Sequence, residues 1–421
     1  LPDSSAISKL FEDRVRNDSA FFIPEGVVMP ALLDGVVVVD LSRALAGPHA
    51  AMMLGDLGAR VVKVEVPGTG DDTRGWGPPF VGPDDDAQST YFLSCNRNKE
   101  SITLDLKSED GKQTLTRLIG AADVLVENFR TGVLDRLGFP IERLHELNPG
   151  LVVLSITGFG HDGPEGSRAG YDQIAQGEAG LMSLTGTSPD EPTRIGVPIA
   201  DLLAGMYGAY GVVSALYERA RTGRGRVVRT SLLAAIVGVH AFQGTRYTVA
   251  GEVPRAEGNH HPSMAPYGAF RCKDAIIQVA VGSEGLWRKF APLVEIEPED
   301  PLFADNAHRV RHRQALVELI NDAFADHSVD DLLAQLDKAG VPAGEVRTLE
   351  RVYQWDQTRS QGLLLDVEHP TLGRITLPGP PLRLDGGERQ DHVAPPTLGQ
   401  HNDSVRAWLD ELDASQSLTR S

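Results

Sequence analysis

Positive charge is scarce in this chain, and so is sulfur. Forty lysines and arginines stand against 58 aspartates and glutamates, a formal net charge of −18 over 421 residues. General binding to nucleic acid needs a surplus of Lys and Arg to neutralise phosphates, so that class is excluded, although a local basic patch remains free to hold a small anion. The two cysteines, Cys95 and Cys272, are far apart and in no metal-ligand spacing. They exclude a disulfide framework and point to a reducing compartment. The opening "LPDSSAISKLFEDRVRNDSAFFIPEGVV" scatters its charges and has no long apolar run, so neither a signal peptide nor a membrane span is expected. The paired histidines of "NHHPS" (259–263) lack the spacing of a zinc site, and no carboxylate pattern completes one, so no metal is expected. A cytoplasmic enzyme or binding protein with no membrane or nucleic-acid partner is the expectation.

What is present is an α/β pattern. Apolar content of 41% with 23% charged residues is that of a folded protein, and the length suggests two domains or more. The continuous apolar run "VVVVDLS", ending at Ser42, reads as a strand buried on both faces. A loop, a helical "HAAMMLGDLGA" and a second strand "RVVKVE" (60–65) complete a β-α-β unit. Further strands are expected at "DVLVENF" (123–129) and "LVVLSITGFG" (151–160), with a helix over 109–122. Strands alternating with helices predict a doubly wound sheet whose ligands sit beyond the carboxyl ends of the strands. A long helix is expected over 206–223, ending at Gly223. Beyond residue 225 the texture changes to a hairpin near "DAIIQVAV", helices over 311–327 and 329–340, a strand-rich return at 363–384 and a last helix at 403–412.

Several groups are placed to carry chemistry. Glu65 ends the second strand, where an acidic residue can bind a ribose hydroxyl. The loop before it, however, supplies one glycine, Gly47, in place of G-x-G-x-x-G, so a nicotinamide enzyme is not expected. Arg97, Lys99 and Lys107 cluster in "SCNRNKESITLDLKS", and Arg130 and Arg136 follow a strand. All five suit phosphates, or are solvated surface charges. His161 in "GFGHDGP" is a possible acid or base, or an exposed loop histidine. In "GVPIADLLAGMYGAYG" (196–211) one carboxylate, Asp201, precedes an apolar helix. That is the posture of an N-cap, and it is also that of a nucleophile aimed and kept ionised by a helix terminus. The small residues behind it, Ala204, Gly205, Gly208, Ala209 and Gly211, would let a ligand or another backbone come close.

These blocks, in this order from about residue 31 to about 410, resemble the family III CoA-transferases, a family that also contains α-methylacyl-CoA racemases. The resemblance rests on "LLDGVVVVDLSRALAGPHAAMMLGDLGARVVKVE", "NRNKESITLDLK", "DVLVENFRTGVLDRLGF", "GYDQIAQGEAGLMSLTG", "GVPIADLLAGMYGAYG" and "GNHHPSMAPYGAF". It implies a Rossmann-like α/β large domain built from both chain ends, a smaller α+β middle domain and an interlocked homodimer. On this reading residues 1–30 are an N-terminal arm, 31–225 the first part of the large domain, 226–355 a linker and the small domain, and 356–421 the return. The activity implied is transfer of CoA from an acyl-CoA donor to a carboxylate acceptor, with no metal or redox cofactor. Asp201 in Pro198-Ile199-Ala200-Asp201 matches the family's nucleophile, which would form an aspartyl anhydride and then an aspartyl-CoA thioester. Leu45, Ala46, Leu104, Lys107, Asn128, Phe129, Arg130 and Arg136 match its CoA contacts. Val66, Tyr171 and Arg229 depart from patterns common among relatives. A racemase or a non-catalytic acyl-CoA-binding protein are the alternatives.

Overall fold

The computed structural model describes residues 31–384 and 391–420. The arm assigned to residues 1–30 lies outside them. Six strands form one parallel sheet: β1 Val37–Asp40, β2 Arg60–Glu65, β3 Lys99–Thr103, β4 Val124–Glu127, β5 Val152–Thr157 and β6 Val227–Ser231. Their order is β3-β2-β1-β4-β5-β6. The valine-rich central strands are buried on both faces, as a parallel sheet covered by helices requires. The order reverses between β1 and β4, so the loops after these strands diverge and leave a crevice at their carboxyl ends.

On one face, helix α1 (Ala46–Asp56) packs against a 24-residue helix that spans Ile199–Thr222. This longer helix begins seven residues before the expected start at 206, and it stops where expected, at Gly223 in the left-handed conformation. Two of its glycines have a specific reason. A Cβ on Gly205 would stand 2.7 Å from the Ala46 carbonyl oxygen, and one on Gly208 would stand 2.9 Å from a Leu154 methyl. The helices therefore meet backbone to backbone, which any larger residue at 205 prevents.

The other face is covered by a helix over Glu109–Ala121, capped by Ser108, and by the C-terminal helix Asn402–Arg420. Val405 and Leu409 of the latter enter the same apolar cluster as Leu115, Leu118 and Val153. The chain end is also fastened to β3, where Thr103 N–H donates to Asn402 Oδ1 at 2.8 Å. The middle of the chain has a core of its own. A three-stranded antiparallel sheet, Tyr267–Arg271, Ile276–Ala280 and Ala343–Glu345, packs with helices Arg313–Phe324 and Val329–Ala339 around Phe270, Trp287, Leu316 and Phe324. The hairpin Leu364–His369/Gly373–Pro378 then packs on Leu93, near the sheet.

The polar interior explains two of the basic residues. Arg97 is buried and pairs with Asp56, and Lys99 is buried between Asp40, the Pro48 carbonyl and Asn96. Neither is a surface charge nor a phosphate ligand. Both neutralise carboxylates that the α/β core encloses.

Candidate active site

The long helix, numbered here α3 after α1 and the short α2 (Thr90–Ser94), carries Asp201 in its first turn. Pro198 occupies the cap position and has no side-chain oxygen to offer, so Asp201 is not the N-cap expected from the sequence. The cap comes from Asp172, which begins the short helix Asp172–Glu178. Its Oδ1 accepts from Ala200 N–H at 2.8 Å and from Asp201 N–H at 3.4 Å. Its Oδ2 accepts from Gln176 Nε2 at 2.7 Å, and Gln176 Oε1 in turn accepts from Ile195 N–H at 2.9 Å. This borrowed cap lets the helix start at Ile199 and frees the Asp201 side chain from the local bond a cap would make.

The second expectation for Asp201, that the helix terminus keeps it fully ionised, is also reversed. Burial, reinforced by the Asp172 charge, pushes its carboxyl from 3.8 up to about 7. Desolvation and a like charge together outweigh the helix dipole, whose effect on a side chain is of the order of 1 kcal/mol. Near neutrality Asp201 is divided between acid and carboxylate.

Several groups surround it that sequence reasoning passed over. Tyr91 on α2 is half-buried, and its phenol is pushed up to about 12 by burial and by the Asp201 charge. Its ring meets Trp76 edge-on at 5.0 Å. Leu202, next to Asp201, packs with Leu45, Met52 and Cys95. His49, near Gly205, is pushed down to about 4 by burial and by Arg97 and Lys99, which makes it a neutral imidazole. The signal that would have found Tyr91 and Asp172 is tertiary, because they lie 110 and 29 residues from Asp201 in sequence.

A cavity of about 540 Å³ opens at the carboxyl ends of β1, β2, β3 and β4. Leu104, Lys107 and Phe129, three of the residues expected to hold CoA, line it together with Arg43 and Asp71. A second cavity of about 530 Å³, bordered by Trp76 and Tyr171, shares Asp71 as a wall. Leu45 and Ala46 are buried at the start of α1. Asn128 clamps the preceding loop: its Oδ1 accepts from Arg43 N–H at 2.8 Å and its Nδ2 donates to the Arg43 carbonyl at 2.6 Å. Arg130 and Arg136 are exposed beyond β4 and do not line the cavity.

The remaining candidates are otherwise engaged. Glu65 binds Arg74 through both oxygens and accepts from Ser101 Oγ and Asp71 N–H, so it has no oxygen left for a ribose. His161 is half-buried, with Nε2 2.8 Å from Ser155 Oγ, and Ser155 also donates to the buried Glu127. It is therefore part of a polar chain under the strand ends, where an exposed loop histidine was the alternative.

The profile described as CoA-transferase family III matches residues 33–402. Succinyl-CoA:glutarate CoA-transferase of Homo sapiens is 37% identical over 375 residues, 89% of this chain and 85% of that protein. Acetyl-CoA:oxalate CoA-transferase of Acetobacter aceti is 35% identical over 378 residues, 89% of this chain and 94% of that protein. Among solved structures, a CAIB/BAIF family protein from Brucella suis superposes with a TM-score of 0.82 at 40% identity, over 90% of this chain and 100% of that one.

Proposed function

The chain belongs to CoA-transferase family III and is an acyl-CoA:carboxylate CoA-transferase; from that premise we propose that Asp201 carries first the acyl group and then CoA. The observation that supports this reading is the partly buried Asp201 carboxyl at the head of α3, next to Leu202, which packs on Leu45, and with the cap function taken over by Asp172. Ionised Asp201 attacks the donor thioester carbonyl, the C–S bond breaks, and a mixed anhydride and CoA thiolate form. The thiolate attacks the aspartyl carbonyl, releasing the donor acid and leaving an aspartyl-CoA thioester. The acceptor carboxylate attacks this thioester to give a second anhydride and the thiolate again. The thiolate then takes the acceptor acyl group, which restores the Asp201 carboxylate. Splitting the exchange into such steps, with the thiolate tethered by its nucleotide end, favours recapture over loss.

CoA occupies the cavity of Leu104, Lys107 and Phe129, with Asn128 and the Leu45–Ala46 backbone at its reacting end and Arg130 and Arg136 at its phosphates. The acceptor acid is a short dicarboxylate, the class of the acceptor named for both relatives. The catalytic unit is a homodimer of chains built as a large domain (31–225 and 356–421) and a middle domain (226–355). The support for the dimer is that Met206, Tyr207, Tyr210, Val213 and Tyr217 leave one apolar side of α3 exposed. The protein works in the cytoplasm, in keeping with two free thiols.

Incubation with succinyl-CoA followed by hydroxylamine is expected to label Asp201 as its hydroxamate, read by peptide mass spectrometry. Labelling elsewhere, or exchange of the α-proton of a 2-methylacyl-CoA that persists in Asp201→Ala, would overturn the reading.

A further inference from the structure

Ser42, Arg43 and Ala44, just ahead of the α1 cap residue Leu45, form a turn that no strand ladder holds. Instead, side chains from four separate places bind its backbone. Ser42 N–H donates to Asp40 Oδ1 at 3.0 Å, and the Ser42 carbonyl accepts from Lys63 Nζ at 2.8 Å. Both polar backbone atoms of Arg43 go to Asn128. Ala44 N–H donates to Asp71 Oδ1 at 3.2 Å. Ala44 is the strained member, with φ at 65°, a conformation that costs an L-residue with a Cβ and that glycine adopts freely. An alanine stays there only where its surroundings overdetermine it.

Asp71 is the residue that does so. It is fully buried, with Oδ1 accepting also from Thr73 N–H at 3.0 Å and Thr73 Oγ1 at 2.8 Å, while Oδ2 faces Lys63 Nζ at 2.8 Å. A carboxylate is a poor lining for a cleft that takes a polyanion, and Asp71 borders both cavities. Lys63, itself buried, cancels that charge and anchors the other end of the turn at Ser42. The pair thus fixes two backbone atoms of this loop, while Asp71 also caps the Asp72–Gly75 turn and Lys63 also faces Asp40.

We propose that Asp71 is a positioning residue for acyl-CoA: by holding Ala44 left-handed it sets the Leu45–Ala46 backbone and the start of α1 against Asp201. This rests on the reading of the cleft as the CoA site given above. It predicts a specific non-additivity. In the native protein the turn is already held, so Ala44→Gly gains nothing. Without the Asp71 charge the turn is held only part of the time, and relieving the Cβ penalty restores it.

The test is calorimetric titration with CoA, together with steady-state exchange between succinyl-CoA and glutarate. Asp71→Asn is expected to weaken CoA binding about tenfold and to raise the KM for succinyl-CoA more than it lowers kcat. Ala44→Gly alone is expected to change the affinity by less than about twofold, and in the Asp71→Asn background to recover about fivefold. Native-like CoA affinity in Asp71→Asn, or no recovery from Ala44→Gly, overturns the proposal and leaves Asp71 a structural residue. If Asp71→Asn does not fold, Ala44→Val asks the same question with the ion pair intact. About tenfold weaker binding at an unchanged melting temperature supports the proposal, and unchanged binding overturns it. A wild-type protein that binds no CoA would instead remove the CoA reading on which the proposal stands.

Discussion

Asp172 accepts on one carboxylate oxygen the backbone N–H groups of Ala200 and Asp201, so the helix that presents one carboxylate is capped by the other. Two acidic groups at one helix terminus compete for its positive end. Asp172 takes the amides, and Asp201 is left with burial and its neighbour's charge.

Replacing Asp172 by Asn retains a carbonyl oxygen for the two amides and removes the charge. Asp201 loses its like-charge neighbour, so its carboxyl pKa falls. The midpoint of the pH profile for hydroxylamine trapping should move to lower pH. A profile that does not move would show that burial alone raises Asp201.

The first half-reaction requires ionised Asp201, whose carboxyl sits near about 7. Single-turnover acylation by succinyl-CoA should therefore climb about tenfold per pH unit below the midpoint and level off above about pH 8. Rapid-quench measurements between pH 5 and 9 give the curve. A flat profile across that range would contradict the proposed nucleophile.

The same shift has a cost in stability. The carboxyl titrates at 3.8 when unperturbed and at about 7 in the fold, so the folded state holds the proton more tightly. Stability contributed by this group falls as pH rises from 3.8 and is fully lost above 7. Asp201→Asn should accordingly stabilise the protein more at pH 8 than at pH 5, by up to about 4 kcal/mol at the higher pH. Denaturant titrations at the two values read the difference, and equal gains at both would count against the raised pKa.

Gly205 and Gly208 differ in what they face. A Cβ at 205 meets the Ala46 carbonyl at 2.7 Å, which is backbone, whereas one at 208 meets the movable methyls of Leu154. Gly205→Ala should cost about 2–3 kcal/mol after its gain of about 1 kcal/mol in helix propensity, and it should weaken CoA binding by displacing the start of α1. Gly208→Ala should cost less and leave CoA binding near native. Thermal denaturation and CoA titration of the two variants distinguish them.

Much of the sheet was legible because its signals are local. The run "RVVKVE" became a strand with the expected ends, Arg60–Glu65, and Gly223 stopped the long helix where its φ of 70° needs a glycine. Apolar runs and helical spacing are read residue by residue, since strand and helix periods are fixed by backbone sterics. The helix start was misplaced because the cap that permits it is Asp172, and Pro198 carries no capping side chain.

Charge was the least legible property. Arg97, Lys99 and Lys107 look alike in sequence. Two are buried against Asp56 and Asp40, and only Lys107 reaches the cavity. By itself the sequence determined the α/β alternation, the small-residue face of the long helix and the presence of a carboxylate at its head, all of which depend on neighbours a few residues away. The tertiary structure alone decided which basic groups meet solvent, that Ala44 is held left-handed by Asp71, and that Asp201 titrates near neutrality. Electrostatic energies depend on burial and on partners brought from distant parts of the chain, and neither exists before the chain has folded.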